Sequence, residues 1–153
     1  MKIKLLLPVF VLMSIAFTAC QSKPEPIVYG SDSCAHCKML ITDVKYGAEL
    51  ITDKGKIYKF DSVECLADFY LNNKPDENSS KLFVADFRKP NSLIAVNKAV
   101  FLENEKFHSP MGMNVLALES REEANNMVNQ YGGKILTWDE VLQNVKSNNL
   151  NSM

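Results

Sequence analysis

One pattern occurs twice in this chain of 153 residues, and it limits the fold more than any single residue does. Ile57-Tyr58-Lys59-Phe60-Asp61-Ser62 followed by a helical pattern is matched by Val115-Leu116-Ala117-Leu118-Glu119-Ser120 followed by another. Both begin as an apolar, β-prone run and turn at an acid-serine pair suited to capping a helix. In the first copy, Leu66, Phe69 and Tyr70 recur at helical spacing between Val63 and Asn72. In the second, Ser120 with Glu123 makes a capping box for a helix from Arg121 to Tyr131, which Gly132-Gly133 stops. A strand precedes each copy (Tyr46 to Thr52; Ala99 to Leu102) and another follows it (Leu82 to Asp86; Lys134 to Thr137). Each half therefore reads strand, strand, helix, strand. The expectation is an α+β fold of two similar ββαβ units, about residues 34–90 and 91–147. Trp138 to about Ser147 closes it as a C-terminal helix, and 148–153 is expected to be a flexible tail.

Two clusters of metal donors stand at corresponding places in the halves. Cys34-Ala35-His36-Cys37-Lys38-Met39 offers two thiols, an imidazole and a thioether within six residues, in a loop ahead of the β-prone Leu40-Ile41-Thr42. His108-Ser109-Pro110-Met111-Gly112-Met113 offers a second imidazole and two thioethers. The two histidines of the chain are both in these clusters. Sulfur donors select Cu(I), Zn or Fe–S over hard ions. If the halves pack about a pseudo-twofold axis, the clusters meet around one soft ion.

Other readings of the same residues stay open. Cys34-x-x-Cys37 has the spacing of a thiol-disulfide redox pair, of half a zinc site or of a small structural disulfide. It stands before a strand and not at the start of a helix, and no second pair completes a zinc site. None of these readings uses Met39. Met111 and Met113 could be core filler, and His36 and His108 could be solvated. Cys65, among the apolar residues of the first helix, reads as a buried thiol acting as a small hydrophobe. No phosphate loop, Ser/His/Asp arrangement or carboxylate pair for acid–base work is present in the sequence.

The N-terminus reads as an export signal. Met1-Lys2-Ile3-Lys4 is a short basic start, and Leu5 to Phe17 is an apolar run too short for a comfortable membrane span. Phe17-Thr18-Ala19-Cys20 resembles a lipoprotein box, so residues 1–19 are expected to be a signal peptide and Cys20 the lipidated N-terminus. Residues 20–33, with Pro24, Pro26 and opposite charges on Lys23 and Glu25, are expected to be a tether. The protein is then exported, membrane-anchored through lipid and facing the periplasm. That compartment is oxidising, so the odd number of thiols left over (Cys34, Cys37 and Cys65) implies a free, buried or metal-bound one. Loss of residues 1–19 removes two of 17 basic residues against 18 acidic ones, so a nucleic-acid partner is not indicated.

The order of short motifs adds a family resemblance. Cys37-Lys38-Met39, Phe60-Asp61-Ser62-Val63-Glu64-Cys65-Leu66, Val84-Ala85-Asp86, Ser109-Pro110-Met111-Gly112-Met113 and Gly132-Gly133-Lys134-Ile135-Leu136 together resemble the NosL family, from about Cys34 to about Trp138. These are lipid-anchored copper-binding accessory proteins of nitrous oxide reductase maturation. The resemblance implies a Cu(I) chaperone and no enzyme. Its partners would be nitrous oxide reductase, with its copper-sulfide centre, and a membrane ABC-type maturation complex. It implies two ββαβ units akin to organomercurial lyase. By match to the family motifs it implies Cys37, Met39 and Met111 as ligands, with Cys34 and Met113 beside them; His36 and His108 are further candidates from the donor clusters themselves. Lys38 stands where the family frequently has glycine. The alternatives are an exported thiol-disulfide oxidoreductase using Cys34 and Cys37, and a lyase in which Asp61 supplies a carboxylate.

Overall fold

The computed structural model describes residues 23–76 and 79–151. The signal segment and Cys20 lie outside the described residues. The elements in order are β1 (Ala48–Ile51), β2 (Ile57–Phe60), α1 (Val63–Asn73), β3 (Lys81–Ala85), β4 (Leu93–Ala95), β5 (Val100–Glu103), β6 (Val115–Leu118), α2 (Arg121–Tyr131), β7 (Lys134–Leu136) and α3 (Trp138–Asn151). They form two sheets with strand orders β2-β1-β3-β4 and β6-β5-β7. In both, the opening strand is central, its hairpin partner is on one side and the strand after the helix is on the other. All these pairings are antiparallel, with Leu50 opposite Tyr58 in the first unit and Leu102 opposite Leu116 in the second. The fold is α+β, and the doubled ββαβ pattern of the sequence is its organising feature.

The caps explain why the repeat folds twice. Ser62 is extended, and its hydroxyl accepts from the Cys65 amide at 3.2 Å; Ser120 does the same for Glu123 at 3.1 Å. Each serine satisfies an amide that the first helical turn would otherwise leave without a partner.

Four local expectations change. Leu93–Ala95, placed with the second half from sequence, forms β4 on the edge of the first sheet, because Asp86 N–H to Ser92 C=O turns the chain back and buries Ile94 opposite Val84. Leu40 to Thr42 is β-prone but forms only a bridge between Leu40 and Ser33, because both backbone groups of Ile41 are taken by Gly30 and Asp32. The tether expected over 20–33 does not extend through its second half: Ile27 is part of the core. At the other end, α3 continues through Asn151, past the expected start of a loose tail.

The main core runs through both units. Leu50, Phe60, Leu66 and Val84 of the first pack with Phe101, Val115 and Leu136 of the second and with Val141 and Val145 of α3. Fully burying side chains of this kind stabilises the fold by about 1.5–3 kcal/mol each. A smaller cluster of Tyr46, Leu102, Leu116, Leu118, Ala124 and Met127 lies under α2. Where the sheets meet, Phe87 N–H donates to Ala117 C=O at 2.9 Å. Among the described residues no helix is long and apolar enough to cross a membrane.

Candidate metal centre

The donor loop closes on itself. Cys34 N–H donates to Met39 C=O at 2.8 Å, and Lys38 N–H to Cys34 C=O at 3.1 Å. Ala35 N–H donates to Lys59 C=O at 2.7 Å, which hangs the loop on β2. The turn requires Lys38 at φ 68°, a left-handed conformation that costs a side-chain-bearing residue about 1–2 kcal/mol. A glycine would take this turn without that cost.

The loop delivers Cys34 and Cys37 to the start of α1. There Cys34, Cys37, Asp61 and Cys65 form one group, with one ligand atom from each lying within 4.8 Å of all the others. The three thiols are free. Cys34 and Cys65 are buried, and Cys37 is half-buried at the outer edge. Asp61 is buried too: its Oδ2 accepts from Cys37 Sγ at 3.4 Å, and its Oδ1 has no hydrogen-bond partner among the described residues. A buried carboxylate oxygen without a partner is costly, and a cation beside three thiols would satisfy it.

The protonation of the cluster is shared. The Cys65 thiol donates to Cys34 and brings it down to about 6, helped by the backbone amides of Asp61, Cys37 and His36. Cys65 is raised by the same bond, and burial pushes Cys37 up to about 11. The bond between the two thiols thus favours the thiolate on Cys34 and the proton on Cys65. A soft metal binds thiolate and displaces the remaining protons. The thiol-disulfide reading needs an accessible thiolate, and the two properties fall on different residues: Cys34 is the lowered thiol but only 1% exposed, while half-buried Cys37 is pushed up to about 11.

Helix α1 ties this cluster to the second one. His36 Nε2 lies 2.8 Å from Asp68 Oδ2. One turn earlier, buried Glu64 accepts from the Ser109 hydroxyl. That hydroxyl also accepts from Asn114 N–H at 2.8 Å, and Ser109 N–H donates to Asn114 Oδ1 at 3.3 Å. The loop carrying Met111 and Met113 is thus pinned at both ends and fastened to α1. It turns through Gly112 at φ 81°, where a Cβ would be strained.

The result is a cleft of about 920 Å³ between the units. His36, Cys65, Met111 and Met113 all line it, with Glu64, Asp68, Glu103 and Glu105 as an acidic rim. The structure therefore brings parts of both clusters to one space. Met111 is exposed at its edge and Met113 is half-buried. Met39 is exposed at 48% and does not line the cleft; nor does His108, which is exposed on the outside. Cys65 belongs both to the buried group and to the cleft wall. In the sequence Cys65 reads as a core thiol and Asp61 as a helix-capping acid, with a ligand role for Asp61 only in the lyase alternative. The repeat held the missing signal: the position three residues after the capping serine is Glu123 in the second copy, an ordinary capping-box acid, and Cys65 in the first.

The NosL family model matches residues 27–146, which is most of the chain. The chain belongs to the NosL family. It is 25% identical over 147 residues to the copper-binding lipoprotein NosL of Stutzerimonas stutzeri, covering 87% of this chain and 77% of that protein. The crystal structure of the copper chaperone NosL from Shewanella denitrificans superposes with a TM-score of 0.67 at 26% identity, covering 78% of this chain and 95% of that one. The doubled ββαβ arrangement described above is thus the fold that this chain shares with that structure.

Proposed function

We propose that this NosL protein is a Cu(I) chaperone and that the group of Cys34, Cys37, Cys65 and Asp61 holds the ion. The observation that carries this reading is the convergence of three free thiols and a buried carboxylate within 4.8 Å. The names of the relatives from S. stutzeri and S. denitrificans support copper as the ion. Met111 and Met113 receive or release it at the cleft, and Met39 offers a further exposed thioether beside Cys37. Cys65 lies between cleft and cluster and passes the ion inward. Thioethers bind Cu(I) at any pH and carry no charge, so they exchange it readily. The thiolate of Cys34 supplies charge, and Cys37, at the outer edge, is the thiol a partner reaches first. Transfer is stepwise ligand exchange, with no bond of a substrate made or broken by the protein.

In this reading Cys20 is acylated, the protein is exported and membrane-anchored, and the periplasm is its compartment. The partners are nitrous oxide reductase and its ABC-type maturation complex. The test is an anaerobic titration of the reduced domain beginning at Gln21, with Cu(I) in competition with a chromophoric chelator. Tight binding near one ion per protein, weakened at least about 100-fold (about 2.7 kcal/mol) in Cys37→Ser, supports the proposal. Affinity no greater than that of an isolated thiol, or unchanged in Cys37→Ser, overturns it.

A further inference from the structure

The segment between the lipoprotein box and the donor loop is built into the domain. Glu25 N–H donates at 3.1 Å to Oε2 of Glu49, a fully buried residue of β1. Lys59 Nζ reaches Pro26 C=O at 3.0 Å and Asp32 Oδ2 at 2.8 Å, and Asp32 Oδ2 also accepts from Val28 N–H at 2.8 Å. Ile27 and Tyr29 lie against Gly47, where an added Cβ would stand 2.8 Å from the Ile27 Cδ1 and Tyr29 hydroxyl atoms. Glycine at 47 is what lets this strap lie flat on the root of β1. Gly30 N–H to Ile41 C=O and Ile41 N–H to Asp32 C=O then join the strap to the far side of the donor loop. Lys59 holds both parts: its carbonyl takes Ala35 and its ammonium takes Pro26.

Chain length limits where this piece can be. Five residue steps separate Cys20 from Glu25, and fully extended they span about 18 Å. Of the four large hydrophobic side chains exposed among the described residues, Val28 (55%), Leu40 (53%) and Met39 (48%) are on the strap or on the stretch bonded to it. Lys23 and Lys38 are exposed at its two ends.

We infer that the strap and the donor loop form a bilayer-facing lip, with Val28, Met39 and Leu40 seated among phospholipid headgroups and the metal loop held at that surface. This rests on the acylation of Cys20 proposed above. Apolar side chains at the headgroup boundary bury area there, and the lysines are drawn to anionic lipid. Cargo is then exchanged at the membrane surface, and the acceptor has to present its ligands at that level.

The test uses the full-length lipoprotein in nanodiscs of phosphatidylethanolamine and phosphatidylglycerol that include a gadolinium-chelate lipid. The mass of the purified protein first reports acylation. The expected result is loss of amide signals for residues 28–41, with the signals of 100–136 retained. The loss persists when about twelve Gly/Ser residues are inserted after Lys23, and disappears when Val28→Ser and Leu40→Ser are added to that insertion. Uniform broadening, loss at another face, sharp signals for 28–41, or recovery of those signals on insertion alone overturns the lip and leaves the copper reading standing. A mass without lipid removes the anchor and the lip together, and the Cu(I) titration still decides the chaperone independently.

Discussion

Cys65 takes the place of a capping-box acid. At the third helical position a capping box carries a glutamate, as Glu123 does after Ser120 in the second unit. In the first unit the Ser62 hydroxyl still receives the amide of that position, but the side chain is a thiol turned to the donor group. Cys65→Ser keeps the volume and removes the soft donor. It is expected to weaken Cu(I) about 100-fold in chelator competition while shifting the urea midpoint little. Glu49 is a residue of a different kind. Burial raises it to about 7 from 4.5, against the smaller opposing pull of the Glu25 amide and Lys59. Its folded form therefore holds a proton that the unfolded chain loses above about 4.5, and stability falls as pH rises from there to about 7. Glu49→Gln removes that fall. Urea unfolding should find the variant about 2–3 kcal/mol more stable than the parent at pH 8 and nearly equal at pH 4. At this scale the sequence showed the donor types of the first loop but not Cys65 or Asp61, because burial beside an apolar helix face and membership of a donor group look alike in one dimension.

Helix α1 is the element on which the site depends. Within its first two turns and cap it supplies Glu64 to the methionine loop, Cys65 to the thiols and Asp68 to His36, with Asp61 immediately before the cap. Fraying of that first turn would disturb all of these contacts together. Ser62→Ala, at a fully buried cap, is expected to cost about 1–2 kcal/mol by urea unfolding and to lower Cu(I) affinity as well. Ser120→Ala should cost a similar or smaller amount and leave the affinity unchanged. Helices were the most legible elements. Arg121 to Tyr131 has a serine at one end and two glycines at the other, and α1 shows the matching cap. The short strands were less legible. Leu40 to Thr42 and Leu93 to Ala95 have similar β-prone composition, and only the chain that happens to lie beside each decides whether a sheet strand forms.

The two units share one core. Phe101, Val115, Leu136, Val141 and Val145 complete a core that begins with Leu50, Phe60 and Leu66, and Trp138 stacks near both Tyr70 and Phe101. A fragment ending at residue 98 leaves that core open. It is expected to show no cooperative urea transition, whereas the domain from Gln21 to the C-terminus should give a single one. The doubling of the fold was legible because caps and strands repeat locally. The meeting of the clusters followed only if the halves packed about a pseudo-twofold axis, and the contact that fixes it, Glu64 with Ser109, spans 45 residues of sequence. One wall of the cleft has a consequence in time. Asn144, Val145, Ser147 and Asn148 of α3 form part of it, so a helix that follows every donor residue in the chain is needed to finish the chamber. A chain that emerges amino end first presents its cysteines early, when no enclosure surrounds them, and the enclosure closes only as the final turns arrive. The thiols and thioethers are thus made before the helix that encloses them.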